Sequence, residues 1–273
     1  MSTLASDQAE SLRRMLAPRT TRRIAVVACE PGAGATTVAL GLSNALALQG
    51  ERVLLVDEDA ARSRATRLAG ANPRGTLAQV LTGSASAADA TGDRAQGAPA
   101  VLPGDPQAWG DLGALGEFRS VLCDARSGPD GMLSRFGGSA HNLVVVTRAE
   151  PASITAAYAC IKRLHHLYAC RHFHLVVNAA DNDNTVATAA RNLARTASQY
   201  LGVQAVFAGA LPFDPLIARS TALGRCVVEA FPGAAATASL RRIAAGIAAW
   251  PLKPETDSNR AAPFVPPAAA LAC

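Results

Sequence analysis

Residues 29–37 read "CEPGAGATT", set between the apolar run "RRIAVVA" and the helical pattern "VALGLSNALALQG". No other stretch constrains the fold as tightly as this strand–glycine loop–helix order. Glycines let consecutive backbone N–H groups converge on an anion, and the helix that follows adds the positive end of its dipole. Gly32, Ala33, Gly34, Ala35, Thr36 and Thr37 would form such a phosphate cradle, with Thr36 as the hydroxyl that reaches Mg²⁺. An ordinary phosphate loop also carries a lysine just before that threonine. Here the residue is Ala35.

The rest of the chain supports an α/β reading. Strands are predicted at 24–28, 52–56, 119–123, 142–147, 173–178 and 206–210, and helices near 35–49, 61–69, 153–170, 186–201 and 236–249. The strands are continuous apolar runs ("RVLLVD", "NLVVVT", "FHLVVN"), the pattern of a parallel sheet buried on both faces. The expected fold is therefore α/β, three-layered, with a mostly parallel central sheet and helices on both faces. Residues 70–118 break the rhythm and read as a surface insertion, with a weak helix near 76–82 and a short strand near 99–102. Three segments are expected: 1–22, a helix and linker; 23–250, the main domain; and 251–273, a proline-rich tail predicted to be disordered.

Two further carboxylate groups fall at strand ends. "LLVDEDAARSRA" carries Asp57, Glu58 and Asp59, and "VLCDARSG" carries Asp124. Ligands of open α/β sheets lie beyond the carboxyl ends of the strands, so these two groups and the glycine loop converge on one predicted site. At 273 residues the chain is long enough for one full core. Its six cysteines show no C-x-x-C pairing, and Cys29, Cys123 and Cys226 read as small core or near-core residues. The formal charge of +5 comes almost wholly from arginine; it permits contact with nucleic acid without demanding it. The amino-terminal segment has acidic residues and no apolar signal core, so a cytoplasmic location is expected.

Taken in order, these motifs resemble the MinD/ParA group of deviant Walker ATPases, a P-loop NTPase-like fold of the SIMIBI type, and within it the flagellar FlhG (FleN) branch. The group's G-K-G-G-V-G-K-T loop aligns with Cys29–Thr36, its switch I aspartate with Asp59, and its switch II D-T-P-A-G with the stretch from Asp124. "VVVTRAEPASITAAYACIKRL" resembles its T-P-E-P-T-S-I-T-D-A-Y segment, "LVVNAA" puts Asn178 at its base-contacting asparagine, and "AGALPFDPLIARS" resembles its I-P-x-D turn. "DQAESLRRM" resembles the D-Q-A-x-x-L-R helix of the flagellar branch, which implies a docking role for Asp7, Gln8, Leu12 and Arg13.

The resemblance implies ATP or ADP with Mg²⁺ as cofactors, Asp59 and Asp124 as catalytic residues, and Thr36, Asp59 and Asp124 around the metal. It implies an FlhF-like GTPase, flagellar C-ring proteins and a transcription regulator as partners, and a location that extends to the inner membrane or cell pole. Both loop lysines of the group are replaced, by Glu30 and Ala35. Loss of a fixed cation, with a carboxylate added, weakens both binding and transition-state stabilisation. A regulator of flagellar number or placement, a scaffold with weak nucleotide binding and little or no turnover, is the function the resemblance implies. The alternatives are an active Mg²⁺-dependent ATPase that uses Arg62, Arg64, Arg126 or Arg148 in place of lysine, and a DNA-associated partition or transcription regulator. The terminal helix "TASLRRIAAGIAAWPLK", with Leu240, Ile243, Ile247 and Trp250 near one face, either packs on the sheet or makes a weak peripheral membrane contact.

Overall fold

The computed structural model describes residues 20–59, 61–94, 97–128, 130–180 and 183–252. The docking segment with Asp7, Gln8, Leu12 and Arg13 and the tail beyond Leu252 lie outside the described residues. Seven strands form one sheet: β1 (Arg22–Ala28), β2 (Val53–Asp57), β3 (Ala100–Pro103), β4 (Ser120–Ala125), β5 (Asn142–Arg148), β6 (His172–Ala180) and β7 (Gln204–Pro212). Their order is β3-β2-β4-β1-β5-β6-β7, and every pairing is parallel. Ten α-helices are described: α1 (Ala35–Leu48), α2 (Arg64–Leu68), α3 (Leu77–Leu81), α4 (Ala87–Thr91), α5 (Arg135–Gly138), α6 (Pro151–Tyr168), α7 (Asp183–Leu201), α8 (Pro215–Ala222), α9 (Val227–Ala230) and α10 (Ala235–Gly246).

Successive strand side chains point to opposite faces, so each run of branched apolar residues feeds two cores. Ala25, Val27, Leu54, Val56, Val121 and Val145 join one core with α6; Ile24, Val26, Leu55, Leu122, Val144 and Val146 join the other with α1 and α10. The second core closes tightly. A Cβ added at Gly41 of α1 would stand 2.5 Å from Leu240 Cδ1, and one at Gly209 of β7 would stand 2.8 Å from Ile243 Cγ1. Leu240, Ile243 and Ile247 are buried, so the apolar face of the terminal helix is used in packing. Trp250 stacks on His174 with ring centroids 3.6 Å apart, and Arg22 Nη1 donates to Trp250 O at 2.6 Å, which fixes the chain after α10 against the amino ends of the strands.

Residues 70–118 are not a surface insertion. Leu77, Val80, Leu81, Leu102, Leu115 and Phe118 are buried in the α6-side core, and β3 completes one edge of the sheet beside β2. The stretch also forms α3 and α4. α3 begins with a capping box in which Gln79 N donates to Thr76 Oγ1 and Thr76 N donates to Gln79 Oε1. Widely spaced apolar residues in an Ala-, Gly- and Asp-rich stretch give little periodic signal, which is why the core role is not evident from sequence. The short helices α5, α8 and α9 likewise do not appear in the sequence pattern.

Candidate functional site

The glycine loop joins β1 to α1 above the carboxyl ends of β1, β2 and β4. Gly34 takes φ 96° and ψ 23°, a left-handed conformation that lets the chain enter α1, and Val38 N donates to Gly34 O at 3.1 Å as the helix begins. Asn178, at the end of β6, donates from Nδ2 to Ala33 O at 2.9 Å. A Cβ on Gly34 would lie 2.1 Å from that nitrogen. The asparagine predicted to contact a base is therefore held against the loop, and its close approach requires glycine at position 34.

Pairing of β2 with β4 sets Asp57 opposite Asp124, and β4 pairs with β1 on its other side. The two carboxylate stretches thus meet beneath the loop, as the sequence implies. Each acid has a different task. Buried Asp57 accepts from Thr66 N and Thr66 Oγ1, both at 2.8 Å, and from Asp59 N at 3.0 Å; it shapes the turn and the start of α2. Buried Glu58 accepts from Arg126 N at 3.1 Å and from the Ser134 hydroxyl, tying the turn after β2 to the one after β4. Burial raises its pKa against the lowering effect of those hydrogen bonds.

The Thr36 hydroxyl lies beside Asp124 and favours its charged form, which brings the predicted metal hydroxyl to the switch II aspartate. Burial, with added repulsion from Asp57, Glu58 and Asp59, pushes the Asp124 pKa up to about 7, although the Thr36 hydroxyl pulls the other way. Asp59 pairs with Arg126, Nη1 to Oδ1 at 3.0 Å, and also accepts from Arg62 N at 3.3 Å. Among the described residues, no cluster of three or more His, Cys, Asp or Glu side chains is disposed to hold a metal. Any metal held by Thr36, Asp59 and Asp124 would therefore rely on a hydroxyl as well as carboxylates.

These parts line a cleft of about 680 Å³ that contains the loop, Asp59, Asp124 and Asn178, together with Arg62, Arg64, Arg126 and Arg163. Arg148 does not line it; its guanidinium lies 3.6 Å from Glu150. Arg163 is not evident from sequence because it belongs to α6 and reaches the cleft across the turn at Gly131, whose added Cβ would meet Arg163 Nε at 2.5 Å. Ser153 is also missed: from the first turn of α6 its hydroxyl donates to the Glu30 carboxylate. Glu30 is therefore tied back to its own chain near the positive end of a helix. A left-handed glycine opening a 14-residue helix, a threonine on a strand-end aspartate and four lining arginines form a donor set that fits a phosphate group. The missing element is the loop's own cation.

The model of the CobQ/CobB/MinD/ParA nucleotide binding domain matches residues 24–227. The antiactivator FleN of Pseudomonas aeruginosa is 28% identical over 245 residues, covering 84% of this chain and 87% of that protein. The crystal structure of the cell division ATPase MinD of Pyrococcus furiosus superposes with a TM-score of 0.66 at 23% identity, covering 84% of this chain and 99% of that one. The MinD of Pyrococcus horikoshii, solved with Mg-ADP, gives a TM-score of 0.65 at 22% identity over 84% of this chain and 96% of its own.

Proposed function

Because this chain belongs to the CobQ/CobB/MinD/ParA nucleotide-binding family, we propose that it is a regulator of flagellar number or placement that has kept the family's nucleotide cleft and given up efficient turnover. The kinship with FleN across most of both chains supports the flagellar branch. The loop carries the second half of the reading. Its cradle is built, yet Ala35 provides no cation, and Glu30 is a carboxylate held by Ser153 where the family has a lysine that reaches a partner subunit. Fixed cations stabilise the charge that develops in phosphoryl transfer, and their absence lowers turnover more than it harms the fold. In this reading ATP or ADP with Mg²⁺ binds weakly. An FlhF-type GTPase, C-ring proteins or a flagellar transcription regulator docks on the amino-terminal segment and the α/β surface.

Calorimetric titration with ATP–Mg²⁺, run beside the Glu30→Lys/Ala35→Lys double variant, tests the proposal. Weak binding and negligible hydrolysis by the natural chain, both strengthened in the variant, are expected. Tight binding with steady hydrolysis by the natural chain would overturn it. The four arginines in the cleft favour one second reading, an ATPase in which arginine replaces lysine. Hydrolysis by the natural chain that Asp59→Ala abolishes would establish that reading instead.

A further inference from the structure

Arg126 occupies a special place in the cleft. Ala125 pairs with Val27, so Arg126 leaves β4 beside the point where β1 runs into the glycine loop. Its backbone N–H is held at 3.1 Å by the buried Glu58 carboxylate, which anchors the residue while its side chain stays 58% exposed. The guanidinium meets Asp59 at 3.0 Å and, among the described residues, makes no other hydrogen bond or ion pair. An arginine has five N–H donors in a planar fork, so most of this one's capacity is unused by the protein.

We propose that Arg126 is the cation that binds phosphate in this cleft, held on Asp59 until a phosphate-bearing anion takes it. This deepens the reading above and rests on it for the nucleotide role of the cleft. Asp59 is one of three carboxylates, with Asp57 and Glu58, whose like charge bears on Asp124, and its pairing with Arg126 offsets part of that charge. A single carboxylate contact by a half-exposed arginine is a weak tie. A multiply charged phosphate group offers the same fork two oxygens and more charge. Exchange leaves Asp59 open on the cleft side at the moment an anion is bound. The other lining arginines are placed differently: Arg62 and Arg64 follow the Asp59 turn, and Arg163 lies against Gly131 with its charge acting on Cys160.

Titration with pyrophosphate and with ATP, both without divalent metal, tests the exchange in the full-length chain, Arg126→Ala, Asp59→Asn and the double variant. Circular dichroism and thermal melting establish that each variant is folded. Arg126→Ala is expected to weaken both ligands by about tenfold, the size of a lost charge-assisted contact. Asp59→Asn is expected to tighten both by about three- to tenfold by releasing Arg126, and the double variant to lose that gain. Four results would each overturn the proposal: Arg126→Ala binding like the natural chain, Asp59→Asn bringing no gain, the gain surviving in the double variant (a general charge effect), or no binding by any folded form. None of these restores turnover, so a non-hydrolysing regulator would survive them. Steady ATP hydrolysis would remove that regulator reading whatever Arg126 does.

Discussion

Replacing Gly34 with alanine tests whether the loop is shaped by its own backbone, by Asn178, or by both. At φ 96° an L-residue pays a left-handed strain of about 1–2 kcal/mol. The new Cβ would also lie 2.1 Å from Asn178 Nδ2, which must swing away and give up its 2.9 Å bond to Ala33 O. That loss adds about 1 kcal/mol, so Gly34→Ala should destabilise the protein by about 2–3 kcal/mol. The two contributions separate in a double-mutant cycle read by urea unfolding. With Asn178→Ala already present the bond is gone and the clash relieved, so Gly34→Ala should then cost only the strain, leaving a coupling of about 1 kcal/mol. An equal cost of Gly34→Ala in both backgrounds would refute the close approach of Asn178. A cost below about 0.5 kcal/mol in the natural background would refute the strained loop as well.

The acid–base behaviour of two buried groups gives opposing pH profiles. Asp124 keeps its proton to about 7 in the native state, well above its unfolded value of 3.8, so its stabilising contribution is full below the unfolded value and lost as pH rises through about 7. Asp124→Asn should therefore match the natural chain near pH 4 and exceed it by about 2–4 kcal/mol at pH 8 in urea unfolding; a constant difference would contradict the buried assignment. His174 behaves in the opposite sense, because burial lowers its pKa to about 3. The native state then stays neutral while the unfolded chain takes up a proton below about 6.5, and stability falls as pH drops through that window. His174→Phe should flatten that slope, and an unchanged slope would assign it to other groups. Leu240→Ala, which removes a fully buried side chain from beside Gly41, should cost about 3 kcal/mol in the same assay, whereas a loss under about 1 kcal/mol would mean that the terminal helix is not part of the core.

How much of this was legible in the sequence depends on whether a feature is local. The six main strands and the long helices are readable because their apolar runs and periods extend over consecutive residues. β3 and α3 show in the sequence only as a short strand near 99–102 and a weak helix near 76–82, and the core role of Leu77, Val80, Leu115 and Phe118 is not legible, because their shared burial shows only when the chain folds them together. The parts of the site follow the same rule. The glycine loop, Asp59 and Asp124 stand at strand-to-loop junctions that any parallel sheet brings to one edge.

The sequence by itself determined the layered α/β fold, the place of the glycine loop and the absence of lysine from it, because each is written in consecutive residues. Tertiary structure alone decided what the remaining polar groups do. It set Ser153 on Glu30 across 123 residues and Asn178 on Ala33 across 145, placed Arg126 on Asp59, and brought Arg163 to the cleft from the side of a helix. Hydrogen bonds and ion pairs act over a few ångströms of space, and only the packing of the sheet and its helices fixes which distant residues come that close.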